Sequence, residues 1–150
     1  MCHGRNSFFL PFDGGLLKYC EGFMSILLTG CAGFIGARTA QLLLEQGEEV
    51  VGIDNLNDYY DVRLKAHRLA ELRRYPGFRF APIDVEDLTA LTELFSHNRF
   101  QAVINLAARA GVRSSIDNPH VYLTTNAGGT LNLLELMRRN GVIKIVMAST

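Results

Sequence analysis

From Ser25 onward, short apolar runs alternate with longer stretches whose apolar positions recur at helical spacing. "SILLTG" has the unbroken run of a buried strand, and "FIGARTAQLLLEQG" the pattern of a helix that Gly47 would close. "EVVGID" predicts a second strand. In "YYDVRLKAHRLAELRRYPG", Val62, Leu64, His67, Leu69 and Leu72 approach helical spacing before Pro76 ends it. "FRFAPID" is a third strand with Pro82 at its late end. "DLTALTELFSHN" is a third helix and "QAVINLA" a fourth strand. A long helix from Asn118 to Asn140 follows, with Asn118 as N-cap and Pro119 at its first position. Arg138 and Arg139 in its last turn, and Gly141 beyond, suit its C-terminus. "KIVMAS" closes the series as a fifth strand.

Five apolar strands alternating with four helices predict an α/β fold, because parallel strands need crossovers and crossovers are helices. Right-handed crossovers with one reversal give a doubly wound parallel sheet in strand order 3-2-1-4-5, ending at the fifth strand. This rhythm occupies residues 24–150. Residues 1–23 show no clear period and no partner element. They are expected to be a disordered or non-native N-terminal extension, since Met24 stands one residue before the first strand.

Charge narrows the function classes. Fifteen Lys and Arg balance fifteen Asp and Glu, which leaves no electrostatic case for nucleic acid or an anionic membrane as partner. No apolar run approaches the roughly 18 residues of a membrane helix, and the N-terminal apolar patch makes a poor signal peptide. Cys2, Cys20 and Cys31 have no metal-ligand spacing, and His3, His67, His97 and His120 form no cluster. No metal is expected. A disulfide at Cys31 would obstruct the turn around it, so a reduced, cytoplasmic setting is expected. The basic run Arg63, Lys65, Arg68, Arg73 and Arg74 reads as a solvated helix face, part of which could shield a phosphate.

The chemistry lies in "TGCAGFIG". A strand, a glycine-rich turn and a helix leave backbone N–H groups at the positive end of a helix dipole, which suits a pyrophosphate. Gly30 would permit the tight turn, Gly33 the approach of ligand to backbone, and Gly36 the close packing of helix on strand; turn formation and packing alone are the competing explanation. Asp54, ending the second strand, can accept from both adenosine ribose hydroxyls and would repel a 2′-phosphate, favouring NAD over NADP; it could instead cap the next helix. Asp84, ending the third strand, could reach the adenine amino group or cap the helix that starts near Asp87. The small residues of "NLAARAG" would let a cofactor lie against the fourth strand's end. Gly128-Gly129 inside a helix marks close packing on the sheet or beside a cofactor. Together these predict a Rossmann-type, dinucleotide-binding domain.

"TGCAGFIG", "GIDNLNDYYD", "NLAARAGVR" and "NAGGTLNLLE" resemble the extended short-chain dehydrogenase/reductase family, in particular its nucleotide-sugar epimerases and dehydratases. "DNLNDYYDVRLK" with "AGVRSSIDNPHVY" is similar to UDP-glucuronate 4-epimerases. The resemblance covers Ser25 to Thr150. It implies that Gly30, Gly33, Phe34, Ile35 and Gly36 bind the pyrophosphate of NAD, and that Asp54 and Asn55 hold the adenosine ribose. Asp84 and Val85 would flank adenine, Leu106, Ala107 and Ala108 would line the nicotinamide half, and Asn126 would help order the site. Thr150 matches the catalytic Ser or Thr, whose hydroxyl bonds the reacting sugar oxygen.

The family also implies a transient oxidation of the nucleotide sugar by bound NAD, with a tyrosine of a Tyr-x-x-x-Lys motif as general base. No such motif occurs in these 150 residues, and no C-terminal substrate domain is expected within them. The expectation is therefore the NAD-binding portion of an epimerase, without turnover by itself. A 4,6-dehydratase or decarboxylase on the same frame is the sister reading, and a non-catalytic dinucleotide sensor the reading of a different class. Arg113 is a candidate cation for a sugar carboxylate. The absence of a sixth strand leaves the fifth at an exposed edge, so a homodimer or other self-association is expected.

Overall fold

The computed structural model of the chain describes residues 9–12, 15–18 and 24–148. Two short strands, β1 (Phe9–Phe12) and β2 (Gly15–Lys18), pair in antiparallel register with Phe9 opposite Lys18. They fall within the stretch expected to be an N-terminal extension, most of which lies outside the described residues.

β3 (Ser25–Thr29) is buried at every position, as a strand with neighbours on both edges and helices on both faces must be. It pairs in parallel with β4 (Val50–Ile53) on one side and with β6 (Phe100–Asn105) on the other. β5 (Phe78–Ala81) adds to β4, and β7 (Ile145–Met147) to β6. The order β5-β4-β3-β6-β7 is the doubly wound 3-2-1-4-5 arrangement, counted from Ser25.

Because successive strand side chains point to opposite faces, Leu27 and Leu28 each seed a separate core. Leu27 joins Ile53, Leu91, Phe95, Val103 and Leu133 beneath α3 (Leu88–His97) and a later helix, α6 (Gly129–Asn140). The rings of Phe95 and Phe100 meet edge to face there, 5.0 Å between centroids. Leu28 joins Ala40, Leu44, Leu69 and Leu72 beneath α1 (Phe34–Glu45) and α2 (Val62–Leu72).

Two helices depart from the sequence expectation. On α2 the inward residues are Lys65, Leu69 and Leu72, whereas Val62 and Leu64 are exposed. A lysine stands where an apolar residue completes the i, i+4, i+7 face, so an apolar periodicity count chose the wrong rotation. The single helix expected over 118–140 is instead α5 (Pro119–Tyr122), a π-helical turn over Leu123–Gly128, and α6. Asn118 makes no side-chain cap bond, although Pro119 does sit at the helix start. A further short helix, α4 (Val112–Asp117), precedes it; its six residues are too few to show a period. At the other end Gly141 closes α6 in the left-handed region, φ +70°, as expected.

Candidate functional site

The carboxyl ends of β3, β4, β5 and β6 surround a cleft of about 620 Å³, part of it open to solvent. Of the residues picked from the sequence, Gly30, Gly33, Asp54, Asn55, Asp84, Val85, Leu106, Ala107 and Ala108 line it. Phe34 and Ile35 open α1 with exposed side chains, while Gly36, which is buried, and Asn126, which is exposed, are not among the lining residues. Thr150 lies outside the described residues.

The glycine turn is set by close approach of backbones. Gly30 adopts φ +66°, and a Cβ there would come within 2.9 Å of the Leu106 and Ala107 backbone. A Cβ on Gly36 would run into the Gly30 carbonyl oxygen. Gly36 thus seats α1 on the turn itself rather than only on the strand. The helix begins after Gly33 with no side-chain cap and no acidic residue in its first turn, which leaves its leading N–H groups for an anion.

Asp54, at the end of β4, does not cap a helix; Asp61 caps α2. Its buried carboxylate accepts from Ala32 N at 3.2 Å through Oδ2, and from Leu56 N at 2.8 Å and Lys65 Nζ at 3.2 Å through Oδ1. Lys65 also donates to Asn57 Oδ1 at 3.2 Å and lies 5.2 Å from the Tyr60 ring centroid. The reading of the basic run as a solvated face therefore fails at Lys65, which is 4 % exposed. It fails in part at Arg68, whose Nη1 bonds Ala32 O at 3.2 Å and Tyr60 Oη at 3.0 Å. Arg63 does face solvent, and its bonds to Asp61 hold that carboxyl below the usual range. Beneath the turn, burial and then the nearby Asp54 charge push the Cys31 thiol far above its ordinary range.

Asp84 takes 2.6 Å and 2.9 Å bonds from Asn55 Nδ2 and Glu86 N, joining the ends of β4 and β5. It does not cap α3; Asp87 does, accepting from Ala90 N at 3.0 Å. Gly129 packs the helix close to this loop, since a Cβ there would lie 2.6 Å from Val85 Cγ2.

The segment after β6 is held from both sides. Thr29 Oγ1 donates to Asn105 Oδ1 at 2.6 Å and accepts from Leu106 N and Ala107 N. Asn126, in the π-helical turn, accepts from Arg109 N at 2.8 Å and donates to Arg109 O at 3.1 Å. Tyr59 and Tyr122 both donate to Ala110 O, at 2.5 and 2.8 Å. Thr125 bonds Glu86 and reaches the lining. Sequence reasoning passed over Asn57, Tyr59, Tyr60, Lys65, Arg109 and Thr125 as lining residues. The polar residue Lys65, in phase with Leu69 and Leu72, was the available signal for one of them.

Residues 27–150 match the family profile described as GDP-mannose 4,6 dehydratase. The chain belongs to this family, within the extended short-chain dehydrogenase/reductases. Among the family's relatives of this chain, a UDP-glucuronate 4-epimerase of Thermodesulfobacterium geofontis is 55 % identical over 124 residues, covering 83 % of this chain and 38 % of that protein. The structure of UDP-glucuronic acid 4-epimerase from Bacillus cereus, in complex with UDP-glucuronic acid and NAD, superposes with a TM-score of 0.76 at 35 % identity. That match covers 85 % of this chain and 40 % of the other. A UDP-glucose 4-epimerase of Thermus thermophilus in complex with NAD gives 0.72 at 35 % identity, over 85 % and 38 % of the two chains. The chain thus spans about two-fifths of the length of these family relatives. Among the described residues, no helix is long and apolar enough to cross a membrane.

Proposed function

We propose that this chain binds NAD and forms the cofactor-holding part of a nucleotide-sugar 4-epimerase acting on UDP-glucuronate. The observation that carries the reading is the placement of Asp54, whose carboxylate lines the same cleft as the Gly30–Gly33 turn. The donor set fits the cofactor. A carboxylate offers about four lone-pair positions, and three of those on Asp54 are taken by Ala32 N, Leu56 N and Lys65 Nζ. One position on Oδ2 is left for a ribose hydroxyl. The third N–H of Lys65 then serves the neighbouring hydroxyl oxygen, so the pair replaces the doubly accepting carboxylate that the sequence suggested.

In this reading the first-turn N–H groups of Phe34, Ile35 and Gly36 receive the pyrophosphate, and Asn55 completes the ribose contact. Asp84 and Val85 flank adenine, and Leu106, Ala107 and Ala108 give the nicotinamide half a side-chain-poor surface. Asn126 orders the Arg109 backbone beside it. NAD, when bound, supplies a reversible hydride acceptor, and Thr150 would bond the sugar oxygen. The family description favours a 4,6-dehydratase as the second reading; the cofactor half is the same in both.

The test is calorimetric titration of NAD and NADP into the chain, with Asp54→Ala beside it. NAD should bind and NADP should bind at least about tenfold more weakly; the variant should lose NAD and narrow the difference. Absence of heat with either dinucleotide would overturn the reading. UDP-glucuronate added with NAD should keep its C4 configuration by proton NMR, because no Tyr-x-x-x-Lys occurs in these residues. Conversion would show that the proton transfer needs no such pair.

A further inference from the structure

Lining the cleft beside Ala107 and Ala108 is a cation that the sequence reading left without a role, Arg109. Its main chain is fixed by the paired Asn126 bonds, 2.8 Å to its N–H and 3.1 Å to its carbonyl. Its guanidinium has no comparable tether among the described residues. No carboxylate or carbonyl of the described residues accepts from it, and Nε is buried with no acceptor. A guanidinium has five N–H donors and no acceptor of its own, and leaving a buried donor unbonded is unfavourable. A charged fork carried on a pinned backbone and lacking a counter-ion points to an anion from the cleft.

The surrounding cations narrow which anion. Lys65 is committed to Asp54 and Asn57. Arg68 is committed to the Ala32 carbonyl and Tyr60, and Arg63 to Asp61. The turn from Gly30 to Gly36 contains no basic side chain. A diphosphate carries a negative charge on each phosphate, whereas a helix N-terminus supplies only about half a charge. The remainder needs a side chain, and Arg109 is the lining cation without a partner among the described residues.

We propose that Arg109 is a binding residue for a diphosphate in this cleft, its guanidinium taking a phosphate oxygen of the bound dinucleotide. Planar N–H pairs match phosphate oxygens in charge and geometry. The assignment rests on the dinucleotide reading above, and adenosine, which lacks phosphate, separates the two.

Adenosine, ADP and UDP are titrated into the chain and into Arg109→Gln and Arg109→Lys, with circular dichroism melts of all three. The glutamine variant should bind ADP about tenfold more weakly with adenosine unchanged, and its ADP affinity should depend less on salt. Lysine, which keeps the charge but not the fork, should restore part of the loss. ADP affinity that is equal in all three proteins overturns the inference. So does an equal loss for adenosine, which would mark a structural role, or a loss confined to UDP, which would move the residue to the sugar nucleotide. If the unmodified chain binds neither adenosine nor ADP, the dinucleotide reading falls and this assignment with it.

Discussion

Lys65 Nζ lies 3.2 Å from Oδ1 of Asp54, and both side chains are almost wholly withdrawn from water. The pair ties α2 to the carboxyl end of β4, so the carboxylate that would read a ribose is held by a charge from a different element. Removing one member of a buried pair leaves the other uncompensated, which typically costs about 3–5 kcal/mol. Lys65→Met should therefore lower unfolding free energy in urea by about 3 kcal/mol, while Asp54→Asn with Lys65→Met should be closer to the parent than the single lysine variant. Strict additivity in that cycle would show that the two charges do not sense one another.

Gly36 gives a sharper test of the turn. A methyl group there meets the Gly30 carbonyl, which is backbone and cannot rotate away. Gly36→Ala should destabilise the chain by about 3 kcal/mol, at the upper end of overpacking effects. The control is Gly47→Ala, where φ is +85° but nothing beyond the adjoining residues lies within 4 Å of the new Cβ. Left-handed strain alone predicts about 1 kcal/mol there. Thermal melts that rank the two in the opposite order would remove the contact argument.

Cys31 lies under the turn with a thiol whose ionisation is opposed by burial and then by Asp54. In the native chain it should not react with a disulfide reagent at neutral pH, and should react once urea unfolds the protein. Linkage gives the sign of a pH effect. The native pKa is raised above the ordinary value of 9.0, so above that pH the unfolded chain has lost a proton that the native chain keeps. This thiol's contribution is intact below pH 9.0 and falls above it, by at most about 1.4 kcal/mol per pH unit. Cys31→Ala should remove that slope in urea titrations between neutral pH and the alkaline range.

Much of this was legible in the sequence. The strands at Ser25 and Val50 announce themselves because a parallel strand buried on both faces reads as a near-continuous apolar run. Gly30, Asp54 and Asp84 announce themselves because each ends such a run. Lys65 did not, because a buried lysine looks like surface until its partner is known, and Asp54 is distant on another element. Nor did the π-helical turn over Leu123–Gly128, since its Thr, Asn and Gly residues are equally at home in an ordinary helix. Only in three dimensions do Thr125 and Asn126 turn toward Glu86 and Arg109.

The far edge of the sheet carries the last prediction. Among the described residues β7 pairs only with β6, and Val146 and Met147 on it are 59 % and 46 % exposed. Ile143 just before it is 88 % exposed, and Leu131 and Leu134 on α6 are also open to solvent. A strand with one open edge, flanked by apolar side chains, is a template for another chain, and a charge on it opposes that pairing. Sedimentation equilibrium of the chain should show concentration-dependent self-association. Val146→Lys, which adds charge to the edge without reaching the cleft, should weaken it by about tenfold or more. A parent chain that stays monomeric across the micromolar range would mean that this edge is too short, or too strongly twisted, to recruit a partner. The same variant should titrate NAD like the parent, because Val146 does not line the cleft around Asp54. If NAD affinity instead falls with the association constant, cofactor binding depends on the assembled form, and the cleft is completed only when two copies meet.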